Sequence, residues 1–237
     1  KLSAGRLCFW PAHWARLCRS AAAFSLCLNV SAAEVLEAIR GLVQAEGMRD
    51  GVIKLSLLAD GAASSPQQRP RPAQLFVYTR PAMAATAGAA RLQLSTASPI
   101  NEGSVLAGHK THNYMENILL LEAARAAGYT DVLRVNTAGL VAETTVGNLF
   151  FIEGQQLSTP ALSTGILPGV MRAQVLQAAP ALGVVVEEGA YLAEQLQHAD
   201  AMFVTNAAVG ILPVQALEAQ DWRVELPGAS HPLPPLF

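Results

Sequence analysis

The chain has 237 residues, of which 51% are hydrophobic and 14% are charged. This balance excludes an intrinsically disordered chain and provides enough apolar residues for one large domain or two smaller ones. The formal net charge is −2 and no run of lysine and arginine occurs, which excludes nucleic acid as the main partner. No apolar run approaches the ~18 residues of a membrane span.

The first 33 residues have an ambiguous pattern. Basic residues precede an apolar stretch and small residues follow it, as in a secretory signal. The chain opens on Lys1 rather than methionine, however, and the same stretch fits a helix that runs into a strand. Cys8, Cys18 and Cys27 are odd in number and are not spaced like zinc ligands. We therefore predict no metal site and interpret the cysteines as small hydrophobic residues in the reducing cytoplasm.

The first part of the chain has the pattern of an α+β domain. Ser31 and Glu34 form a capping box at the start of a helix. Two strands are separated by a polar, proline-broken loop, and we expect the strands of this part to pair antiparallel. The predicted elements are helices over 13–24 and 34–46 and strands over 51–59, 74–79 and 91–96, with the polar loop over 60–72.

The second part of the chain alternates short strands with helices. The predicted helices cover 114–127, 169–179 and 193–198, and the predicted strands cover 131–136, 140–142, 149–153, 156–158, 184–188 and 201–205. Pro213 is expected to follow the last strand. A boundary near 101–108 then divides the chain into a small α+β domain over 1–102 and a larger domain over 103–237.

One lysine stands out because lysines are rare in this chain. Lys1, Lys54 and Lys110 are the only three, and Lys110 lies just before a predicted helix. A lysine amine can form a Schiff base at neutral pH, whereas an arginine guanidinium does not lose its proton. The alternative is an ordinary solvated lysine near the start of a helix.

Four other features suit the same kind of site. Glu143 begins a turn-rich loop, Gly165–Gly169 leads into a helix whose N–H groups could bind an anion, and Asn206 ends a strand. Arg16 lies on a helix with an apolar face. Each has a simpler interpretation, as a turn glutamate, a loop before a helix, a strand end or a surface arginine. Together, an amine, a carboxylate, an anion site and an arginine are the parts that pyridoxal phosphate requires.

A set of motifs follows in a characteristic order between residues 13 and 214. They are Lys110-Thr-His-Asn113, Glu143 with Asn148-Leu-Phe150, Thr159-Pro160, Gly165-Ile-Leu-Pro-Gly-Val-Met-Arg172, Ala199-Asp200-Ala-Met-Phe203 and Pro213-Val214. In this order and spacing the chain resembles the fold-type IV pyridoxal-phosphate enzymes, the class IV aminotransferase family. The set is specific, although each motif alone is not.

The resemblance implies a fold, a cofactor and a role for each site residue. The fold would be a small α+β domain and a larger β-barrel-like domain with helices, in a homodimer that acts on a small-molecule amine. Lys110 would be the catalytic Schiff-base lysine, and Glu143 would pair with the pyridine nitrogen of pyridoxal 5'-phosphate. The cofactor phosphate would be bound by Arg16, by the amides of Val170 and Met171 and by the turn at Asn206 and Ala207.

Within the family, the motifs look most like aminodeoxychorismate lyase, which releases 4-aminobenzoate and pyruvate. The turn from Asn206 to Val214 lacks the Thr/Ser-rich segment and acidic residue of the aminotransferases. Asn113, Glu116 and Asn117 also look lyase-like, as does Met171 before an arginine. An aminotransferase for branched-chain or D-amino acids is the alternative, followed by a catalytically inactive relative that serves as a binding subunit.

Two departures from the family pattern affect the expected substrate pocket. The family's N-terminal strand and glycine-containing turn are absent, so the small domain is expected to be truncated at its start. The loop over 60–72 lacks the usual Arg-Gly-rich segment, for which Arg69 and Arg71 are the candidate substitutes.

Overall fold

The computed structural model describes residues 1–61, 67, 69–82 and 88–228, so residues 62–66 and 68 of the predicted polar loop lie outside the described residues. The chain forms two compact units, Lys1–Ala85 and Thr86–Phe237. This division lies earlier than the boundary expected near residue 102, because strand β6 (Ala90–Ile100) pairs with strands of the second unit. Within the described ranges, no helix is long and apolar enough to cross a membrane.

In the part of it that the structure describes, the first unit contains a five-stranded sheet and two helices. Its elements are β1 (Leu2–Ser3), β2 (Arg6–Leu7), α1 (Trp10–Ala23), β3 (Leu26–Cys27), α2 (Ala32–Ala45), β4 (Gly51–Ala59) and β5 (Arg71–Pro81). The strand order is β2-β1-β4-β5-β3. The expected antiparallel pairing is confirmed for β4 and β5, which pair along their whole shared length. It is wrong for β6, which lies parallel to both of its neighbours in the second unit.

Helix α2 begins at the predicted capping box. The Ser31 hydroxyl accepts a hydrogen bond from the Glu34 N–H at 3.2 Å, and the Glu34 carboxylate accepts one from the Ser31 N–H at 2.7 Å. These two bonds satisfy N–H groups that a helix start otherwise leaves without partners. Val35 and Ile39, one turn apart, are the buried residues of the helix. The capping box and this apolar spacing together explain why the sequence forms a helix here.

The second unit is built around a closed ring of strands. After β6 it contains α3 (Met115–Ala126), β7 (Asp131–Asn136), β8 (Val141–Thr144), β9 (Asn148–Glu153), β10 (Gln156–Pro160), α4 (Val170–Ala178), β11 (Val186–Gly189), β12 (Ala201–Asn206), β13 (Gly210–Glu218) and β14 (Arg223–Glu225). Six strands close in the order β9-β12-β13-β6-β7-β8, because β8 also pairs with β9. The predicted barrel-like fold is confirmed.

The barrel has apolar residues packed on both sides of its strands. Every residue of β7 is buried, so this strand does not alternate between buried and exposed positions. On the side that faces α4, Phe150 and Phe203 stack with ring centroids 5.0 Å apart, and Val175 of the helix packs against them. This cluster anchors α4 beside the strands β9 and β12 and so fixes where the helix begins.

Strand β13 was not predicted, because Pro213 looked like a strand terminator. A proline has no N–H to donate, and it is therefore tolerated where a strand has a neighbour along one edge only. Pro213 pairs with Phe203 of β12, whereas the pairing of β13 with β6 begins at Val214. The proline thus lies just before the point where β13 gains β6 as its second neighbour. The predicted helix over 193–198 is a 3₁₀ helix in the structure.

Candidate active site

Lys110 lies on an irregular segment, residues 101–114, which we call the lysine loop. The residue is exposed, and its Nζ lies 4.9 Å from the centroid of the Tyr114 ring. An ammonium over an aromatic face at this distance is attracted by the ring electrons. Gly108 turns the loop with a φ of 74°, and a Cβ built on it would lie 3.8 Å from Cδ of Pro168. The lysine loop therefore runs beside the segment that precedes α4.

Tyr114 connects the lysine loop with the turn between β8 and β9. Its hydroxyl donates to the carbonyl of Thr145 at 2.8 Å, and the Asn117 amide donates to the same carbonyl at 2.7 Å. Burial raises the pKa of the Tyr114 phenol, a hydrogen bond with Asn117 lowers it, and the negative charges of Glu143 and Asp131 raise it. Lys110 lies against the Tyr114 ring, and Tyr114 bonds to Thr145, two residues after Glu143, so the lysine loop reaches the end of the strand that carries Glu143.

The Glu143 carboxylate is held in place by the side chain of Asn148. The Asn148 amide nitrogen donates to the Glu143 carboxylate and to the Leu167 carbonyl, each at 2.9 Å. Asn148 is buried, and its backbone pairs with that of Glu143 across the turn. The sequence predicted Glu143 in a loop after a strand ending at residue 142. It lies within β8 instead, because the β8–β9 turn begins only after Thr144.

The start of α4 fits closely against the same asparagine. Gly169 is the residue just before the helix, and a Cβ built on it would lie 2.0 Å from the Asn148 side-chain oxygen. No side chain among the described residues caps this helix, and its first residues, Val170 and Met171, are buried. The N–H groups at such a helix start attract anions because they carry partial positive charge.

The turn between β12 and β13 is ordered by its own asparagine. The Asn206 side-chain oxygen accepts from the N–H groups of Ala208 and Val209 at 2.9 and 3.0 Å. Thr205 pairs with Asn148 across β12 and β9, so their side chains lie on the same sheet face. The Thr205 hydroxyl is buried and has no hydrogen-bond partner among the described residues.

These features provide a test of whether the site suits the cofactor implied by the resemblance. A buried hydroxyl without a partner and an uncapped helix start are donors suited to a phosphate. A carboxylate fixed by an amide is suited to a protonated ring nitrogen, and the lysine provides an amine. The donor set of the second unit therefore fits a phosphorylated, basic heterocycle with a group that reacts with amines.

The second unit brings together the lysine loop, Glu143, the start of α4 at Val170 and Met171, and the strand end that carries Asn206 and Ala207. Arg16 lies on α1 of the first unit, so its part in binding phosphate stays a prediction. Burial and the Arg16 charge lower the pKa of His13, one turn away on α1, to about 4. The candidate substitute Arg71 donates to the Phe24 carbonyl at 3.3 Å.

Sequence reasoning missed several polar residues that hold these groups in place. Asn148 was part of a motif but was given no role, Tyr114 was regarded only as the start of a helix, and Asn117 was noted only as a lyase-like residue. The spacing of Tyr114 and Asn117, three residues apart, was the available signal, because it places both on one face of a helix start. Nothing local indicated that both would bond to the carbonyl of Thr145.

The chain is similar to known proteins in both sequence and structure. The profile of the family described as amino-transferase class IV matches residues 1–217. An aminodeoxychorismate lyase of Vibrio harveyi is 30% identical over 123 residues, which are 52% of this chain and 45% of that protein. The aligned segment thus covers less than half of that relative.

Solved structures share the fold over most of the chain. A Legionella pneumophila protein, named provisionally as a 4-amino-4-deoxychorismate lyase, matches with a TM-score of 0.89 and 28% identity over 98% of this chain and 84% of that chain. The branched-chain amino acid aminotransferase from Thermobaculum terrenum, in its PLP form, matches with a TM-score of 0.76 and 26% identity over 88% of this chain and 69% of that chain.

Proposed function

The chain belongs to the class IV aminotransferase family of pyridoxal-phosphate enzymes, and we propose that it is an aminodeoxychorismate lyase. Its substrate would be 4-amino-4-deoxychorismate and its products 4-aminobenzoate and pyruvate. The observation that carries the catalytic part of the proposal is the arrangement around Tyr114. The Lys110 amine lies over the ring, and the charge of Glu143 acts on the phenol of the same residue.

Each residue of the site has one task in binding. The Lys110 amine attaches the cofactor covalently, and the Glu143 carboxylate, fixed by Asn148, keeps a proton on the ring nitrogen. The N–H groups of Val170 and Met171 and the turn at Asn206 and Ala207 bind the phosphate, together with Arg16. When bound, pyridoxal phosphate supplies an electron sink for the electron pair left on the substrate carbon.

Lys110 also moves the proton on which the reaction depends. With the cofactor in place, the neutral Lys110 amine would remove the proton from the carbon that bears the substrate amino group. Loss of that proton and of the enolpyruvyl group makes the substrate ring aromatic and releases pyruvate. An aminotransferase shares the proton removal but returns the proton to another carbon and releases a keto acid.

Two observations support the lyase over the aminotransferase. The Legionella relative named as a lyase matches 98% of this chain with a TM-score of 0.89. The turn after β12 contains Asn206, Ala208 and Val209, held by the Asn206 side chain, in place of a Thr/Ser-rich turn with an acidic residue.

The deciding experiment measures pyruvate. Purified protein with pyridoxal phosphate is incubated with 4-amino-4-deoxychorismate and no amino acceptor, and pyruvate and 4-aminobenzoate are quantified. Equal amounts of both products are expected, because the reaction needs no second substrate. Absence of both, with a keto acid formed from an amino acid and 2-oxoglutarate, would reject the lyase and establish the aminotransferase. Protein that gains no visible absorbance with the cofactor would support the inactive relative.

We also propose that the protein acts as a homodimer. Helix α3 exposes Met115 and Leu119, which are 66% and 58% accessible and lie one turn apart. Neighbouring exposed apolar side chains on a helix are typical of a surface that a partner covers. Light scattering coupled to size-exclusion chromatography is expected to give twice the mass of the chain.

A further inference from the structure

We propose that Tyr114 is a positioning residue for the Lys110 amine, and that the backbone carbonyl of Thr145 holds Tyr114 in place. This inference rests on the proposed function, since it assigns a task in handling the amine. The Lys110 side chain is a flexible chain of methylene groups, and its charged end occupies one position only where a contact favours it. The face of the Tyr114 ring, 4.9 Å from Nζ, provides that contact.

The Tyr114 ring can hold the Lys110 amine in one place only because its hydroxyl end is fixed. The Tyr114 hydroxyl donates to the Thr145 carbonyl at 2.8 Å. Burial and the nearby carboxylates raise the pKa of this phenol, so the hydroxyl keeps its proton at neutral pH and remains a donor. The ring is therefore held at two points, by the backbone of the lysine loop and by the turn between β8 and β9.

Thr145 is itself immobilised by a buried carboxylate. The Thr145 hydroxyl donates to Asp131, and the Thr145 N–H donates to the same oxygen at 3.3 Å. The backbone N–H of Val132 donates to that oxygen at 2.7 Å, and both Asp131 and Thr145 are buried. Because three donors converge on one oxygen of a side chain from β7, the turn that presents the carbonyl is tied to the barrel wall.

A second donor fixes the direction of the same carbonyl. The Asn117 amide nitrogen donates to it at 2.7 Å, and the Asn117 oxygen accepts from Arg134 at 3.0 Å. Arg134 is buried and also donates to the Ser98 carbonyl and pairs with Glu116. The arginine determines which end of the asparagine amide faces Thr145, because an arginine only donates.

The arrangement has a consequence for the timing of the chemistry. A ring face attracts the ammonium form and has no comparable attraction for the neutral amine. The Tyr114 ring therefore holds the ammonium that Lys110 becomes once it has taken the substrate proton. A tilted ring would let this ammonium leave its place, which slows the release of that proton and the return of the amine to the cofactor without changing the surfaces that bind the substrate.

The test compares Tyr114→Phe, which keeps the ring but removes its tether, with Tyr114→Leu, which removes the ring. We expect kcat to fall about tenfold in Tyr114→Phe, the effect of one lost hydrogen bond, and further in Tyr114→Leu, with KM nearly unchanged. Visible absorbance should also develop more slowly when pyridoxal phosphate is added to the cofactor-free variants, because the same amine must attack. Tyr129→Phe, in the same unit, is the matched control and should match the wild type.

A double-mutant cycle tests the route through the carbonyl. Thr145→Val removes the bond to Asp131 but retains the carbonyl, and it should lower kcat in the wild type while adding little in the Tyr114→Phe background. Tyr114→Phe with wild-type kcat and wild-type rate of absorbance gain would overturn the proposal, as would additive losses in the cycle. If Thr145→Val does not fold, the Tyr114 variants decide alone. Failure of the wild type to bind the cofactor would instead reject the proposed function.

Discussion

Lys110 and Glu143 are held by different kinds of structure. Lys110 is exposed, lies on an irregular loop and is in contact with the face of one aromatic ring. Glu143 lies within a strand, and its carboxylate is bonded to a buried amide that also contacts the segment before α4. The region around Lys110 has room for the side chain to move, whereas the region around Glu143 is tightly packed.

This difference matches what each group must do in the proposed reaction. An amine that forms a bond, leaves it and then carries a proton has to change position, so it needs a contact that can be made and broken. A carboxylate that only stabilises a charge is most effective when it is already fixed, because no reorganisation is then needed. Substitutions near Lys110 should therefore change rates, and substitutions near Glu143 should also change affinity and stability.

The largest effect is expected for Lys110→Ala. The variant lacks both the group that attaches the cofactor and the base, so activity should fall by at least about a thousandfold. Visible absorbance with pyridoxal phosphate should be lost, while the melting temperature of the cofactor-free protein stays close to that of the wild type because the residue is exposed. Lys54→Ala, on β4 of the first unit, is the control. Full activity in the Lys110 variant would reject the assigned role.

Glu143→Gln tests whether charge or packing matters in the rigid region. Glutamine keeps an oxygen that can accept from Asn148, so the fold should be retained, but the negative charge is lost. We expect kcat to fall about a hundredfold, with little change in the melting temperature. A variant that is unstable but fully active per folded molecule would show that Glu143 is structural.

Gly169→Ala tests how tightly this region is packed. The added Cβ would lie 2.0 Å from the Asn148 side-chain oxygen, although the backbone angles of Gly169 suit an alanine. Displacement of Asn148 should weaken cofactor binding by about tenfold and cost about 1–3 kcal/mol of stability, as overpacking does. Gly41→Ala, in α2 where nothing lies within 4 Å of the new Cβ, is the matched control and should be neutral or stabilising. Cofactor titration and thermal unfolding measure both effects.

The smallest effect concerns the titration of Tyr114. Because its pKa is raised in the folded state, the folded protein keeps this proton at a pH where the unfolded chain loses it. The free energy of unfolding should therefore fall as the pH rises above the ordinary tyrosine value, and this part of the fall should be absent in Tyr114→Phe. Ultraviolet difference spectra should show one late-titrating tyrosine fewer in Tyr114→Phe than in the wild type, because burial also raises the pKa of Tyr191 and a hydrogen bond to Glu218 raises that of Tyr129. Identical titrations in both proteins would contradict the burial of the phenol beside Lys110.

Local patterns in the sequence predicted the local parts of the fold. The predicted bounds of β4 agree with the structure, because Gly51 begins a mostly apolar run, and the predicted bounds of β7 agree as well. The start of α2 followed from Ser31 and Glu34, which are three residues apart. These features depend on neighbours along the chain, so the sequence contains the information directly.

Features that depend on distant pairing could not be predicted in the same way. Strand β6 was recognised as a strand, but its parallel partners are separated from it by a helix or by more than a hundred residues. At the site, Lys110 and Glu143 were predicted, whereas the bonds of Tyr114 and Asn117 to Thr145 were not. A backbone carbonyl has no sequence signature, and its role appears only once the β8–β9 turn lies against the lysine loop.

The barrel closes at a residue on which the proposed chemistry depends. The β8–β9 pairing that completes the ring joins Glu143 to Asn148. If this pairing opens, the Glu143 carboxylate also loses its hydrogen bond to the Asn148 amide. The colour of the bound cofactor should therefore fade on heating before the bulk of the second unit melts, which makes it an early optical reporter of the opening barrel.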